Sequence, residues 1–342
     1  MNYYLPPEWA KQSAILLTWP HAQTIWADRL DAIDSVFVSV ASTISQSQSI
    51  LITCVNAAHE KHIADLLKLA RADLSQIYFY QTMSDDIWVR DHGPITVLNQ
   101  QQPLLLDFIF NGWGNKYFAE NDNALTRSLH ASGGFKKTPL QSINLVLEGG
   151  AIEVDGAGTL LTTKKCILER NPEYSLTRIE QQLKNLFGVK KILWLDYGYL
   201  QGDDTDGHID TLARFVNENT LVYVECDDAN DPHFAALQKM AVQLRALTNA
   251  QNKPYQLIAL PWPKACYAAL DGRRLPATYA NFLITNQVVL VPTYNQTSDH
   301  LALEILTNCF PQHKVIGIAC LPLIQWNGSL HCMTMQLPHG VI

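Results

Sequence analysis

Gly202-Asp203-Asp204-Thr205-Asp206-Gly207-His208-Ile209-Asp210 runs without a break into Thr211-Leu212-Ala213-Arg214-Phe215-Val216, and the reading of this junction decides the fold. The apolar run Ile209–Val216 predicts a strand, Thr220–Cys226 a second, Pro232–Ala246 a helix and Gln256–Leu260 a third strand. Asp231-Pro232 has the form of an N-cap followed by a first helical residue. If the strand begins at Ile209, His208 and Asp210 stand two apart and point to one side of it. Packed carboxylates repel one another and resist desolvation. Four acids and a histidine in nine residues therefore read as a cation, metal or catalytic site and not as a buried structural pair.

The same order recurs along the chain. Apolar runs predict strands at Ala14–Trp19, Ser49–Val55, Ile77–Tyr80, Ile95–Leu98, Leu104–Phe110, Asn144–Leu147, Ala151–Val154, Thr159–Thr162, Ile192–Leu195, Tyr279–Ile284, Val288–Val291, Val315–Ile318 and Leu330–Gln336. Helical spacing covers Ala27–Ile44, Ala58–Arg71, Asn123–Ser132, Tyr174–Phe187 and Ser298–Cys309. Several strands per helix argue against a doubly wound sheet, which needs one strand per helix. The expectation is an α/β fold of about five repeated β-β-α-β units in one domain spanning residues 1–342. Polar clusters at Trp88–Pro94, Leu147–Gly150, His208–Asp210 and His331–Cys332 mark strand ends, and units set around an axis would bring them together.

Composition excludes several function classes. At 342 residues, 47% hydrophobic and 17% charged, the chain can bury a large core. It has no apolar run of membrane-spanning length, and its N-terminus lacks the basic-then-apolar order of a secretory signal. Seven scattered cysteines without a C-x-x-C pair fit free thiols in a reducing compartment, so a cytoplasmic location is expected. A net charge of −7 without a basic cluster speaks against nucleic acid and is compatible with a cationic substrate.

Four clusters carry chemistry. Asp85-Asp86-Ile87-Trp88-Val89-Arg90-Asp91-His92-Gly93-Pro94 reads either as a strand end turning at Gly93-Pro94 or as a pocket wall, where an aromatic face beside a carboxylate suits a flat cation. Glu148 precedes Gly149-Gly150 and either caps a turn or orients another group. The His208 run is the third cluster. In the fourth, Trp326-Asn327-Gly328-Ser329-Leu330-His331-Cys332, the cysteine follows a Gly-Ser turn and a histidine. Cys54, Cys166, Cys226, Cys266, Cys309 and Cys320 sit mostly in apolar surroundings and read as inert, whereas Cys332 is either inert or a nucleophile that His208 could assist. A Cys, a His, a Glu and two Asp together can hydrolyse a guanidinium group. Paired carboxylates hold the planar cation, a thiolate attacks its carbon, and a histidine moves the proton to departing ammonia.

These residues resemble the agmatine deiminases of the bacterial peptidyl-arginine deiminase family, within the guanidino-group-modifying (pentein) superfamily. The matching stretches are Pro7-Glu8-Trp9-Ala10, Leu17-Thr18-Trp19-Pro20, Asp86–Pro94, Leu147–Ile152, Gly158–Thr163, Arg170-Asn171-Pro172, Thr205–Asp210 with Ala213-Arg214-Phe215, Tyr279-Ala280-Asn281-Phe282 and His331-Cys332. The resemblance implies a five-bladed α/β propeller of β-β-α-β units and deimination of agmatine without metal or cofactor. It implies Cys332 as nucleophile, His208 as general acid and base, Asp91 and Asp210 as guanidinium clamps, and Glu148 as the acid that orients the histidine. Trp88 and Trp113 match pocket walls, and Asp204 matches an acid near the far amine. A homodimer is compatible with it. The chain departs from the usual Gly-Gly-Gly-Asn-Ile-His-Cys before the nucleophile: only Gly328 remains of the glycines, which implies a stiffer or differently shaped loop. Three other readings stay open. One is a deiminase of free or peptidyl arginine, with Arg90, Arg170 or Arg214 available to a substrate carboxylate. The others are a metal-dependent hydrolase using His208, Asp210 and the neighbouring acids, and a non-catalytic polyamine-binding protein.

Overall fold

The computed structural model describes residues 3–100 and 102–342, and the fold is mixed α/β. Among these residues, five sheets share one connectivity: a strand, an antiparallel neighbour, a helical crossover, and a strand parallel to the second. The crossover is what the parallel pairing demands, since a hairpin can join only antiparallel strands. Ile95–Asn99, Gln102–Ile109 and Leu140–Val146 form one such sheet around the helix Glu120–Ala131. Ile152–Val154, Thr159–Thr163 and Lys191–Leu195 form the next, Ala213–Asn217, Thr220–Val224 and Gln256–Leu260 another, and Leu283–Ile284, Val288–Thr293 and Lys314–Ala319 another. In the remaining sheet Gln12–Thr18 pairs antiparallel with Met335–Pro338 and parallel with Ser49–Cys54, to which Ile77–Gln81 adds. The two ends of the chain thus complete one sheet. The sheets are separate, so the argument against one doubly wound sheet holds.

The helices pack by the periodicity that predicts them. In Leu176–Phe187 the buried residues are Ile179, Leu183 and Phe187, one per turn, and Ser175 caps the N-terminus by accepting from the Arg178 N–H. In Ser298–Cys309, Ala302 and Leu306 face inward, while Asp299 accepts from Tyr279 Oη and from the Tyr294 and Gln296 amides, tying the helix to the preceding loop. The cap expected at Asp231-Pro232 is shifted. The helix is Phe234–Ala246, and Asp231 accepts from the His233 amide at 2.9 Å. In Ala57–Leu69 it is Ile63 and Leu67 that are buried, and Leu69 is 83% exposed.

Strand starts differ from expectation in one consistent way. Ile209–Thr211 is a 3-10 turn, and the strand begins at Ala213. The His208 carbonyl accepts from the Thr211 amide and hydroxyl, which closes the turn before extended backbone can form. The period-2 argument for His208 and Asp210 therefore does not apply. Likewise Leu330–Gln336 is a turn through Thr334 with a strand only from Met335, and Tyr279–Ile284 is extended in the sheet only at Leu283–Ile284. Of the polar clusters only Leu147–Gly150 directly follows a strand, Leu140–Val146. The clusters form short turns immediately before the first strand of a sheet: Val89–His92 before Ile95–Asn99, Gly149–Ala151 before Ile152–Val154, Ile209–Thr211 before Ala213–Asn217.

Candidate active site

Because each turn enters its sheet at the same point of the repeat, side chains far apart in sequence meet. The His208 ring lies between two carboxylates, with Nδ1 3.6 Å from Asp91 Oδ1 and Nε2 3.5 Å from Glu148 Oε2. Asp91 Oδ1 also accepts from the Gly150 amide at 3.1 Å, and its Oδ2 from Trp113 Nε1 at 2.9 Å. Across the site, Cys332 Sγ is 3.7 Å from Asp210 Oδ2 and within 3.3 Å of Asn281 Nδ2. Cys332, His208, Glu148, Asp91 and Asp210 are all buried. The structure thus brings together all five residues expected to carry the chemistry. A cavity of about 430 Å³ opens onto Cys332 and Asp91, walled by Trp88 and Trp113, with Tyr117, Asp204, Trp326 and Asn327 nearer its mouth.

Local backbone explains how the walls stand. Gly112, Trp113, Gly114 and Asn115 all have positive φ, an uninterrupted left-handed turn. Holding a tryptophan at φ 56° costs on the order of 1–3 kcal/mol. The Asn111 side chain, accepting from the Gly114 amide, and the indole bond to Asp91 offset it. Trp88 is fixed from the other side: a Cβ on Gly328 would lie 2.5 Å from its ring carbons, so only glycine fits against that face. The loop before Cys332 is anchored. Asn327 accepts from Arg273 Nη1 at 2.6 Å and donates to Asp204, whose carboxylate also accepts from Tyr117 Oη.

The acids of the opening run are divided among separate tasks, contrary to their reading as one site. Asp203 accepts from the amides of Thr205 and Gly207 and shapes the turn. Asp206 pairs with Lys116 and Arg170. Asp204 stands at the cavity mouth, and Asp210 is buried behind the lining against Cys332 Sγ. The metal set formed by His208, Asp210 and the neighbouring acids is not assembled. Among the described residues, Glu148, Cys166 and His208 are the three whose ligand atoms lie within 4.8 Å of one another. Arg90, Arg170 and Arg214 are buried and paired, to Glu8, to Glu148 and Asp206, and to Glu8 and Glu153, so none is available to a carboxylate at the mouth.

Sequence reasoning missed three participants. Cys166 is buried and its thiol is pushed up by burial, in line with the inert reading, but it lies at the site, with Sγ 3.8 Å from Glu148 Oε2. Asn281, the polar residue in an otherwise apolar run, touches Cys332 Sγ and accepts from the His331 amide at 2.9 Å. His331 bridges Asp210 and Glu8 at 2.8 Å each.

Electrostatics separate the roles. Burial works against charging His208, but Asp91, the Cys166 sulfur and Glu148 outweigh it and hold the ring pKa well above its usual value. Burial, then Asp210 and Glu148, push Asp91 up to about 6. Glu148 is buried, yet His208 and Arg170 pull its carboxyl below the ordinary range. Burial, then Asp210 and Asp91, hold the Cys332 thiol well above its ordinary value. These shifts favour a charged imidazole beside a neutral thiol. Only the thiolate alkylates. Inactivation by iodoacetamide should accordingly rise about tenfold per pH unit through neutral pH, without the plateau near 8.5 of an ordinary cysteine. A plateau below pH 8 in the measured rate profile would contradict this.

The comparisons agree with the geometry. A profile of the Porphyromonas-type peptidyl-arginine deiminase family matches residues 4–338. The agmatine deiminase of Stutzerimonas stutzeri is 33% identical, over 98% of this chain and 96% of its own length. The structure of C. jejuni agmatine deiminase with substrate bound is 35% identical, with a TM-score of 0.90 over 98% of this chain and 96% of that one. A Porphyromonas gingivalis crystal structure provisionally described as an arginine deiminase is 45% identical, with a TM-score of 0.92 over 99% of each chain. No helix among the described residues is long and apolar enough to cross a membrane. With the match running from the first strand to the last, and with Cys332 and Asp91 lining one cavity beside the buried His208, Glu148 and Asp210, the chain belongs to the Porphyromonas-type peptidyl-arginine deiminase family.

Proposed function

We propose that the chain is an agmatine deiminase, hydrolysing agmatine to N-carbamoylputrescine and ammonia. The observation that carries this is the pair Asp91 and Asp210 beside Cys332 Sγ, opposite an imidazole held by Glu148. The relatives named agmatine deiminase, one of them solved with substrate, support the substrate. Asp91 and Asp210 take the guanidinium between them, with Trp88 and Trp113 enclosing its plane. Its charge offsets the two carboxylates that hold Cys332 neutral, so the thiol ionises as the cation enters and its proton passes to solvent. The thiolate attacks the guanidinium carbon. His208 gives its proton to the departing nitrogen, and ammonia leaves a thiouronium. Neutral His208 then takes a proton from water as that water attacks the same carbon. Collapse expels the thiolate as the carbonyl of the ureido product forms, and the hydroxyl proton released in that step restores the thiol.

In this reading Asp204 lies near the far amine, and its bonds to Tyr117 and Asn327 fix its direction. The five sheets close about one axis as a five-bladed propeller within a single domain. The support is that both chain ends pair in one sheet while the entry turns converge. Seven unpaired cysteines support a reducing, cytoplasmic setting. A second reading, deimination of arginine, is favoured by the provisional description of the Porphyromonas gingivalis structure and by Arg273 at the rim. Ammonia release from agmatine, arginine and an arginine peptide, before and after iodoacetamide, tests both. We expect alkylation-sensitive release from agmatine alone. Release from arginine alone would transfer the mechanism to that substrate, and release from none would overturn the reading.

A further inference from the structure

The Nδ1 edge of His208 faces Asp91, which lines the substrate cavity, and its Nε2 edge faces Glu148, which does not. Beside that second edge lies Cys166, a thiol the mechanism above leaves unused. The helix Lys164–Arg170 carries Cys166 and Arg170 four residues apart, on one face. Arg170 Nε donates to Glu148 Oε1 at 2.6 Å, which leaves Oε2 to face Cys166 Sγ at 3.8 Å and His208 Nε2 at 3.5 Å. Thr163, at the head of that helix, donates its hydroxyl to the Gly207 carbonyl at 2.7 Å and ties the backbone before Cys166 to the backbone before His208. Cys166, Glu148 and His208 are all fully buried. Among the described residues, neither ring nitrogen of His208 finds a hydrogen-bond partner.

A sulfur, an imidazole nitrogen and a carboxylate oxygen together suit a borderline-soft metal such as zinc, and they select against magnesium and calcium, which take oxygen. Tetrahedral zinc bonds of about 2.0–2.3 Å set the ligand atoms about 3.3–3.6 Å apart. The Glu148–His208 edge is already 3.5 Å, the Glu148–Cys166 edge is 3.8 Å, and all three atoms lie within 4.8 Å of one another. The thiol is the ligand that must move, and it turns on a single bond. Three protein ligands leave a fourth position for water, as in open zinc sites. A hollow lined by Lys165 and Gly207, the chain neighbours of Cys166 and His208, is also lined by Asp196, Asp203 and Asp206. Those carboxylates concentrate cations within one residue of two of the ligands.

We propose that Cys166, His208 and Glu148 form a zinc site at which the metal arrests turnover. Zinc forms bonds to the Cys166 sulfur, His208 Nε2 and Glu148 Oε2. The Cys166 S–H bond breaks, and that proton and the one on His208 Nε2 pass to solvent. Glu148 Oε1 keeps its bond to Arg170. His208 then holds only its Nδ1 proton, and giving that up would leave an imidazolate, so the ring no longer serves the departing ammonia. Asp91 keeps the Trp113 indole and the Gly150 amide, and Asp210 keeps His331, so substrate still binds. The metal is an inhibitor here and not a cofactor. Its effect falls on kcat and spares KM, which distinguishes this site from metal capture by Cys332 in the path of the substrate.

The test is a titration of the full chain with cobalt(II), followed by absorption. Zinc is spectroscopically silent, whereas a cobalt–thiolate bond gives a charge-transfer band. The band needs no turnover, so a failure of the deiminase reading leaves this readout intact. One equivalent of cobalt should produce the band in the parent and in Cys332→Ala, and zinc should displace it. Cys166→Ala and Cys166→Ser, each shown folded by its melting curve, should lack it. The kinetic consequence rests on the deiminase reading. Zinc should lower kcat for agmatine about 10²-fold or more with KM little changed, EDTA should restore it, and magnesium should have no effect. A band that survives in both Cys166 variants and disappears in Cys332→Ala puts the metal on the nucleophile and overturns the site, as does the absence of a band in the parent. Zinc inhibition relieved by excess substrate overturns the arrest at His208.

Discussion

Cys332→Ala should release no ammonia from agmatine above background while still binding it. Removing the nucleophile of a covalent enzyme costs on the order of 10⁶ in kcat, and neither His208 nor a carboxylate here can replace a sulfur attack. Binding should survive because the groups that hold the cation keep their partners. Asp91 retains the Trp113 indole and the Gly150 amide, and Asp210 retains His331. Loss of the thiol also removes little packing: Sγ faces the cavity and touches Asn281 and Asp210, both fixed by other bonds. Calorimetric binding with unmeasurable turnover is the expected pair of results. Turnover within a hundredfold of the parent would remove Cys332 from the mechanism, and loss of binding would give the sulfur a structural part in the clamp.

What could be read in advance follows from what each signal depends on. Repetition of two strands, a helix and a strand is written in apolar periodicity, which burial enforces everywhere, so the sheets and most helices were legible. The entry turns were not, because Ile209, Leu330 and Tyr279 are apolar for packing while their backbones close on hydrogen bonds that a residue count cannot anticipate. Local chemistry singled out the clusters that hold Cys332, His208, Glu148, Asp91 and Asp210, and the family resemblance picked these residues within them and implied a role for each. Partners contributed from elsewhere in the fold, such as Asn281 and the 323-residue link from His331 to Glu8, left no local mark. Conversely, Asp203 and Asp206 looked functional by proximity to His208, yet one shapes a turn and the other neutralises Arg170. Carboxylate density alone does not distinguish these uses; the donor that each oxygen meets does.

Gly150→Ala should cost about a thousandfold in kcat/KM, although it removes no functional group. A Cβ at this position would lie 2.7 Å from His208 Nδ1, 2.9 Å from Asp91 Oδ1 and 3.0 Å from Asp210 Oδ2. The backbone does not call for glycine here, since φ is outside the left-handed region. The requirement is for close approach: His208, Asp91 and Asp210 all pack against this backbone, with Asp91 Oδ1 accepting from its amide, and the proposed clamp needs all three held there. The methyl group would displace His208 Nδ1 and the facing oxygens of Asp91 and Asp210 at once. Misplacement by about 1 Å costs on the order of 10²-fold, and blocking several partners together should bring the loss in kcat/KM to about 10³-fold or more. Overpacking should take about 1–3 kcal/mol from stability, leaving a folded protein in urea melts. Gly149 supplies the contrast. Its Cβ would strike the Arg90 carbonyl at 2.2 Å, a backbone atom, so Gly149→Ala should act chiefly on folding. A Gly150→Ala protein within tenfold of parental kcat/KM would mean that the clamp does not need Asp91, Asp210 and His208 held against this backbone.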